Sequence, residues 1–196
     1  MKSEHIDTRQ HILDCGQRLI AAKGFVGVGL SEILGSAEVP KGSFYHYFGS
    51  KEQYCNTLLE SYFTDYLGRL DALFGQTDKS GAERLGTYLS RWTETQSGED
   101  ASAKCLIVKL AAEISDLSEA MRSTMRDGTD AILQRLSQCI AEGQADGSIT
   151  RTLPAADAAL WLYETWLGAS LLAKLRRDDS ALDGALRATR LFFDLK

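Results

Sequence analysis

An all-α fold, with a small three-helix domain ahead of a larger helical domain, is what the amino-acid sequence predicts. Three observations carry this reading. Apolar residues recur at helical spacing along nearly the whole chain, and no stretch alternates apolar and polar residues as a half-buried strand would. The 196 residues contain only two prolines, Pro40 and Pro154. Hydrophobic residues make up 44% of the chain, ample for a packed core, and no repeat or low-complexity tract interrupts them.

The first helix is expected over Asp7–Lys23, where Ile12, Cys15, Leu19 and Ala22 form a stripe that Gly16 and Ile20 widen. Asp7 or Thr8 would cap its start and Gly24 end it, with Phe25 in the core below. Leu30–Glu38 is a short helix with Leu30, Ile33, Leu34 and Ala37 on one face. Pro40 ends it, because proline disfavours helical geometry in the residue before it and has no N–H to donate. Lys41–Tyr47 is a second short helix, anchored by Phe44 and Phe48. Lys51–Phe74 follows, with apolar positions at Tyr54, Cys55, Leu58, Leu59, Tyr62, Phe63, Tyr66, Leu67, Leu70 and Phe74. That set is too wide for one face and suits a helix buried on more than one side.

Beyond the polar break at Gln76–Ser80, Ala82–Gln96 is amphipathic through Leu85, Tyr88, Leu89 and Trp92. The polar loop Ser97–Ala103 leads to a helix over Lys104–Leu117. Asp116–Gln144 is the longest helical run, with Gly128 at a bend or a close contact, and Asp146–Gly147 makes a turn. Pro154 suits a first helical position. Ala155–Leu175, strongly apolar, and Ser180–Leu195 close the chain. The long helices after residue 100 have more apolar surface than a domain this size leaves exposed, which predicts a two-fold homodimer through the last two, with Gly168–Ala169–Ser170 allowing close approach.

The net charge is −5, but it is unevenly spread. Residues 1–51 carry six Lys/Arg against five Asp/Glu, and the remainder sixteen against twenty-two. All three histidines lie within the first 46 residues, so the N-terminal quarter is the side suited to phosphates. No apolar run is long enough to span a bilayer, and MKSEHIDTRQ is too polar for a secretory leader, so a cytoplasmic protein is expected. Cys15, Cys55, Cys105 and Cys139 form no CxxC pair or Cys/His cluster, so neither a zinc site nor structural disulfides are expected. No Gly-rich phosphate loop and no Ser/His/Asp set points to an enzyme or a cofactor.

Between the two anchoring phenylalanines the second short helix presents polar and aromatic tips, flanked by Lys41 and Lys51. A small anchored helix of that kind fits a duplex groove. The segment KGSFYHYFGSKE resembles the recognition-helix signature of TetR-type transcriptional regulators, small-x-Gly-x-(hydrophobic)-Tyr-x-(His/Tyr)-Phe-x-x-Lys. It departs from the family at Gly29, where a threonine usually caps the preceding helix. The resemblance implies a helix-turn-helix DNA-binding domain over residues 6–66, with its motif at 29–48, and a regulatory and dimerising domain over 67–196. It also implies a repressor acting on a palindromic DNA operator. Resemblance and chemistry together assign Lys41, Gly42, Ser43, Tyr45 and His46 to the groove, and Tyr47 and Lys51 to phosphates.

For the regulatory half, Cys105 stands out, three residues after Ser102 as N-cap and next to Lys104. Helix N-terminal amides and that lysine would both favour the nucleophilic thiolate, though a structural thiol is the competing reading. KCLIVKLAAEISDLSEAMRSTM and WLGASLLAK resemble the NemR-type subgroup, which represses N-ethylmaleimide reductase genes. That resemblance implies sensing of reactive electrophiles by a cysteine matching Cys105. Lys174 falls within about 40° of the Leu160/Leu167/Leu171 stripe, where it is either a charge partner for a thiolate or a cation suiting the helix C-terminus. Two alternatives stand: a reversible apolar inducer in a pocket lined by Trp92, Trp161 or Trp166, or a helical interaction module without DNA function.

Overall fold

The computed structural model describes residues 2–98 and 105–195, with side chains from residue 8 onward. Ser102 and Lys104, expected to cap and activate the Cys105 helix, lie outside the described residues. Among the described residues there are nine helices and no strand: α1 Lys2–Lys23, α2 Leu30–Ala37, α3 Lys41–Tyr47, α4 Lys51–Phe74, α5 Gly81–Ser97, α6 Leu106–Ile114, α7 Glu119–Asp146, α8 Ala155–Arg176 and α9 Ser180–Phe193. Helix α1 begins five residues before the expected start, so Asp7 and Thr8 lie inside it and not at its N-cap. Pro154 is the N-cap of α8, not its first residue. None of the described helices is long and apolar enough to cross a membrane.

The chain forms two compact units, Met1–Phe63 with Glu99–Arg126 and Thr64–Gly98 with Asp127–Lys196. The division differs from the expected break after residue 66, because α6 and the start of α7 belong with the N-terminal helices.

In the first unit the core is built on Tyr54 of α4. Its hydroxyl donates to the Ile12 carbonyl at 2.8 Å, and its ring packs on Phe44 and Phe48 with centroids 5.4 and 4.9 Å away. Gly16 makes room for that hydroxyl, since a Cβ there would lie 1.7 Å from it. Val28 is fully buried, whereas Phe25, expected in the core, is only half-buried.

In the second unit α5 opens with a capping box in which Ser80 and Glu83 satisfy one another's backbone amides. Its first residue meets α7 backbone to backbone: a Cβ on Gly81 would lie 2.3 Å from the Gly143 Cα. The buried Arg84 donates to the Phe74 carbonyl and to Glu142. Helices α8 and α9 pack on each other, and Gly128 lies buried within an unbroken α7.

Candidate nucleic-acid interface and the Cys105 site

Gly29 is the N-cap of α2 and supplies no side-chain bond there, as expected for glycine at that position. At the other end Glu38 adopts a left-handed conformation, φ 53° and ψ 37°. Its amide donates to the Gly35 carbonyl and that of Val39 to the Leu34 carbonyl, so the turn closes as a Schellman motif with a glutamate where glycine is favoured. Pro40 then caps α3.

Phe44 and Phe48 pin α3 to Tyr54, which fixes what the helix shows to solvent. Lys41, Gly42, Tyr45 and His46 are exposed, and Ser43 and Tyr47 are half-exposed beside them. Lys41 Nζ sits 5.8 Å from the Tyr45 ring centroid, and His46 packs edge-on against Tyr47. Apart from its chain neighbours and the backbone of its own helix, nothing comes within 4 Å of a Cβ placed on Gly42, so packing sets no demand for glycine there.

Lys51, expected at a phosphate, turns inward in this structure: its ammonium donates to the Phe25 carbonyl at 2.6 Å and lies 4.2 Å from the Phe25 ring centroid. A lysine over an aromatic face with a carbonyl in reach holds a turn in place.

Cys105 is the N-cap of α6 and makes no capping bond. Of the four cysteines it alone reaches solvent; Cys15, Cys55 and Cys139 are buried. The Tyr62 hydroxyl lies 3.9 Å from its Sγ and is the donor. Burial pushes the Cys105 thiol up, while the amides of Val108 and Ile107 and the Tyr62 hydroxyl pull more weakly the other way. The expected net lowering by helix amides is therefore reversed, because desolvation of the thiolate outweighs two amides and a phenol. Burial likewise pushes Cys55 and Cys139 up to about 12.

Lys174 is exposed in the last turn of α8, in the other unit from Cys105. Trp92 and Trp166 are neighbours, with centroids 5.9 Å apart, and both indoles donate within the core, to Ser170 and to Thr189. Trp161 stacks on Phe192 at 4.2 Å, half-exposed. Among the described residues no group of three His, Cys, Asp or Glu side chains is placed to hold a metal ion.

One set of long-range contacts escaped sequence reasoning. Glu113, at the end of α6, accepts the backbone amides of Phe25 and Val26 at 3.0 and 2.5 Å. Lys109, one turn earlier, donates to the Ala22 carbonyl at 2.9 Å. Nothing in the sequence marks partners about 87 residues away.

Residues 12–54 match the family model "Bacterial regulatory proteins, tetR family", and residues 81–189 match "Tetracyclin repressor-like, C-terminal domain". The chain is 41% identical over 184 residues to the HTH-type transcriptional repressor NemR of Escherichia coli (strain K12), covering 94% of this chain and 92% of that one. It is 33% identical over 175 residues to the repressor DhaR of Mycobacterium sp. (strain GP1), covering 89% and 86%. The crystal structure of reduced E. coli NemR superposes with a TM-score of 0.90 at 40% identity, over 97% of this chain and 98% of that one.

Proposed function

Because the chain belongs to the TetR family, whose members here are transcriptional repressors with a helix-turn-helix DNA-binding domain, we propose that a reactive electrophile modifies Cys105 and releases this repressor from a palindromic operator. The observation that carries the proposal is that Cys105 is the one cysteine of four with access to solvent, placed where a helix of the DNA-binding unit begins. The likeness to NemR, whose crystal structure is of a reduced form, supports a redox-sensitive regulator.

The groove contacts are Lys41, Gly42, Ser43, Tyr45 and His46, with Tyr47 at the phosphate backbone. Their exposure on a helix pinned from below supports this role. Gly42 fits a close approach by an outside partner, since nothing inside the protein crowds it. The operator is read by a homodimer. The exposed Leu160, Leu171, Leu172 and Leu175 of α8 and Leu191 of α9 support a second copy covering those helices. Half-sites then lie about 34–36 Å apart, so a change of a few ångströms between the two recognition helices releases the DNA.

Modification proceeds through the thiolate. The thiol proton passes to solvent, and sulfur bonds to the electrophilic carbon of an activated alkene such as a maleimide. The C=C π pair moves onto the adjacent carbon, and that carbon takes a proton from solvent. A gel shift on the DNA upstream of the protein's own gene tests the reading, with wild type and Cys105→Ser run with and without N-ethylmaleimide. Release of wild type but not the variant is the expected result. Equal behaviour of the two sinks covalent sensing at Cys105 and directs attention to a reversible ligand.

A further inference from the structure

The connection between α1 and α2 is gripped by three charged side chains from two helices. Glu113 of α6 accepts the amides of Phe25 and Val26, Lys109 of α6 holds the Ala22 carbonyl, and Lys51 of α4 holds the Phe25 carbonyl. Gly24 begins the turn with φ +84°, and a Cβ there would lie 2.7 Å from a Glu113 carboxylate oxygen. Successive amides at a turn with a positive φ form a concavity suited to an anion, and here the protein's own carboxylate fills it. Both oxygens are used, each on one amide, so the grip fixes orientation as well as distance.

We propose that Glu113 is a positioning residue for DNA binding: by clasping the amides of Phe25 and Val26 it fixes the turn leading into α2 and makes α6 the element that sets the helix-turn-helix. It acts through the turn, not on DNA. The latch also gives the Cys105 site an output, and this part rests on the electrophile reading. Cys105 caps the start of α6 and Glu113 sits about 12 Å further along it, so a helix displaced by an adduct draws the turn with it.

The sign of the effect separates this role from plain electrostatics. Removing a negative charge from a DNA-binding protein tightens binding through the field alone. Loss of the latch weakens it. Glu113→Gln keeps the shape but puts an NH2 against one of the two amide donors, and Glu113→Asp keeps the charge but retracts it by one methylene.

The experiment measures affinity by fluorescence anisotropy for a duplex obtained by in-vitro selection with wild-type protein, and amide hydrogen exchange at Phe25 and Val26. Both variants should bind about tenfold more weakly, the loss of one charge-assisted hydrogen bond, and exchange those two amides faster. Wild-type or tighter binding by both variants overturns the proposal. In a parallel arm with N-ethylmaleimide, the affinity change seen in wild type should shrink in both variants; an undiminished change overturns the transmission role. If wild type itself does not respond, the electrophile reading fails and the untreated comparison alone decides the latch. Lys109→Gln, which cuts the Ala22 bond and leaves Glu113 in place, covers the case in which neither Glu113 variant folds: weaker operator binding supports the attachment, and wild-type affinity overturns it.

Discussion

Glu38 carries a cost that the fold tolerates. A β-carbon in the left-handed region crowds the following carbonyl, and glycine at the same place relieves the crowding. Glu38→Gly should therefore raise stability by roughly 1 kcal/mol, read as a rise of about 2–4 °C in the thermal midpoint. No gain would mean that the Glu38 side chain makes up for its backbone. At Cys105 the burial that raises the thiol pKa lowers the thiolate fraction at any given pH. Its alkylation rate should thus be slower than that of a free cysteine at pH 7 and still climb with pH above the ordinary thiol range. Mass spectrometry of maleimide labelling from pH 7 to about pH 10 checks this, and a plateau below about pH 8.5 would contradict the direction. Tyr62→Phe removes a donor to the thiolate and should slow labelling further, by about threefold.

Elements are placed by contacts that local pattern only half reveals. The short helix α3 is too small to be stable alone, and its position comes from two phenylalanines resting on one tyrosine. Two glycines let α5 and α7 touch backbone to backbone. Gly81→Ala should force those helices apart, because its neighbours are backbone atoms that cannot rotate away. A loss of about 2 kcal/mol or more in urea unfolding is expected, in the range of overpacked cores. Gly86, within the same helix, has nothing within 4 Å of a built Cβ, so Gly86→Ala should be neutral or stabilising. Similar effects from the two substitutions would show that the close contact does not matter.

At the scale of the whole molecule, leucines at 160, 171 and 175 line one side of α8, and Leu175 and Leu191 are 69% and 85% exposed. Gly168, on the same helix, has no neighbour within 4 Å of a built Cβ. Charges placed on this surface should leave the protomer folded and separate the copies. The double substitution Leu171→Glu with Leu175→Glu is expected to give a monomer in sedimentation velocity, with an unchanged helical spectrum and operator affinity reduced by orders of magnitude. A dimer that persists would move the interface elsewhere.

The sequence by itself determined which segments are helices, where most of them end, and which of α3's side chains the fold needs. Those properties rest on spacing, on two prolines and on a few glycines, all readable within a dozen residues. The signature around α3 also carried the family, because the fold places almost no demand on those exposed positions. Only the tertiary structure decided where the charges go. Lys51 and Glu113 look like surface residues in one dimension, yet both hold the turn after α1. It likewise reversed the expectation for the Cys105 thiol, and it gave two tryptophan indoles hydrogen-bond partners within the core. The reason is physical: periodicity records which side of a helix is dry, whereas a hydrogen bond or a desolvation depends on what arrives from elsewhere in the chain.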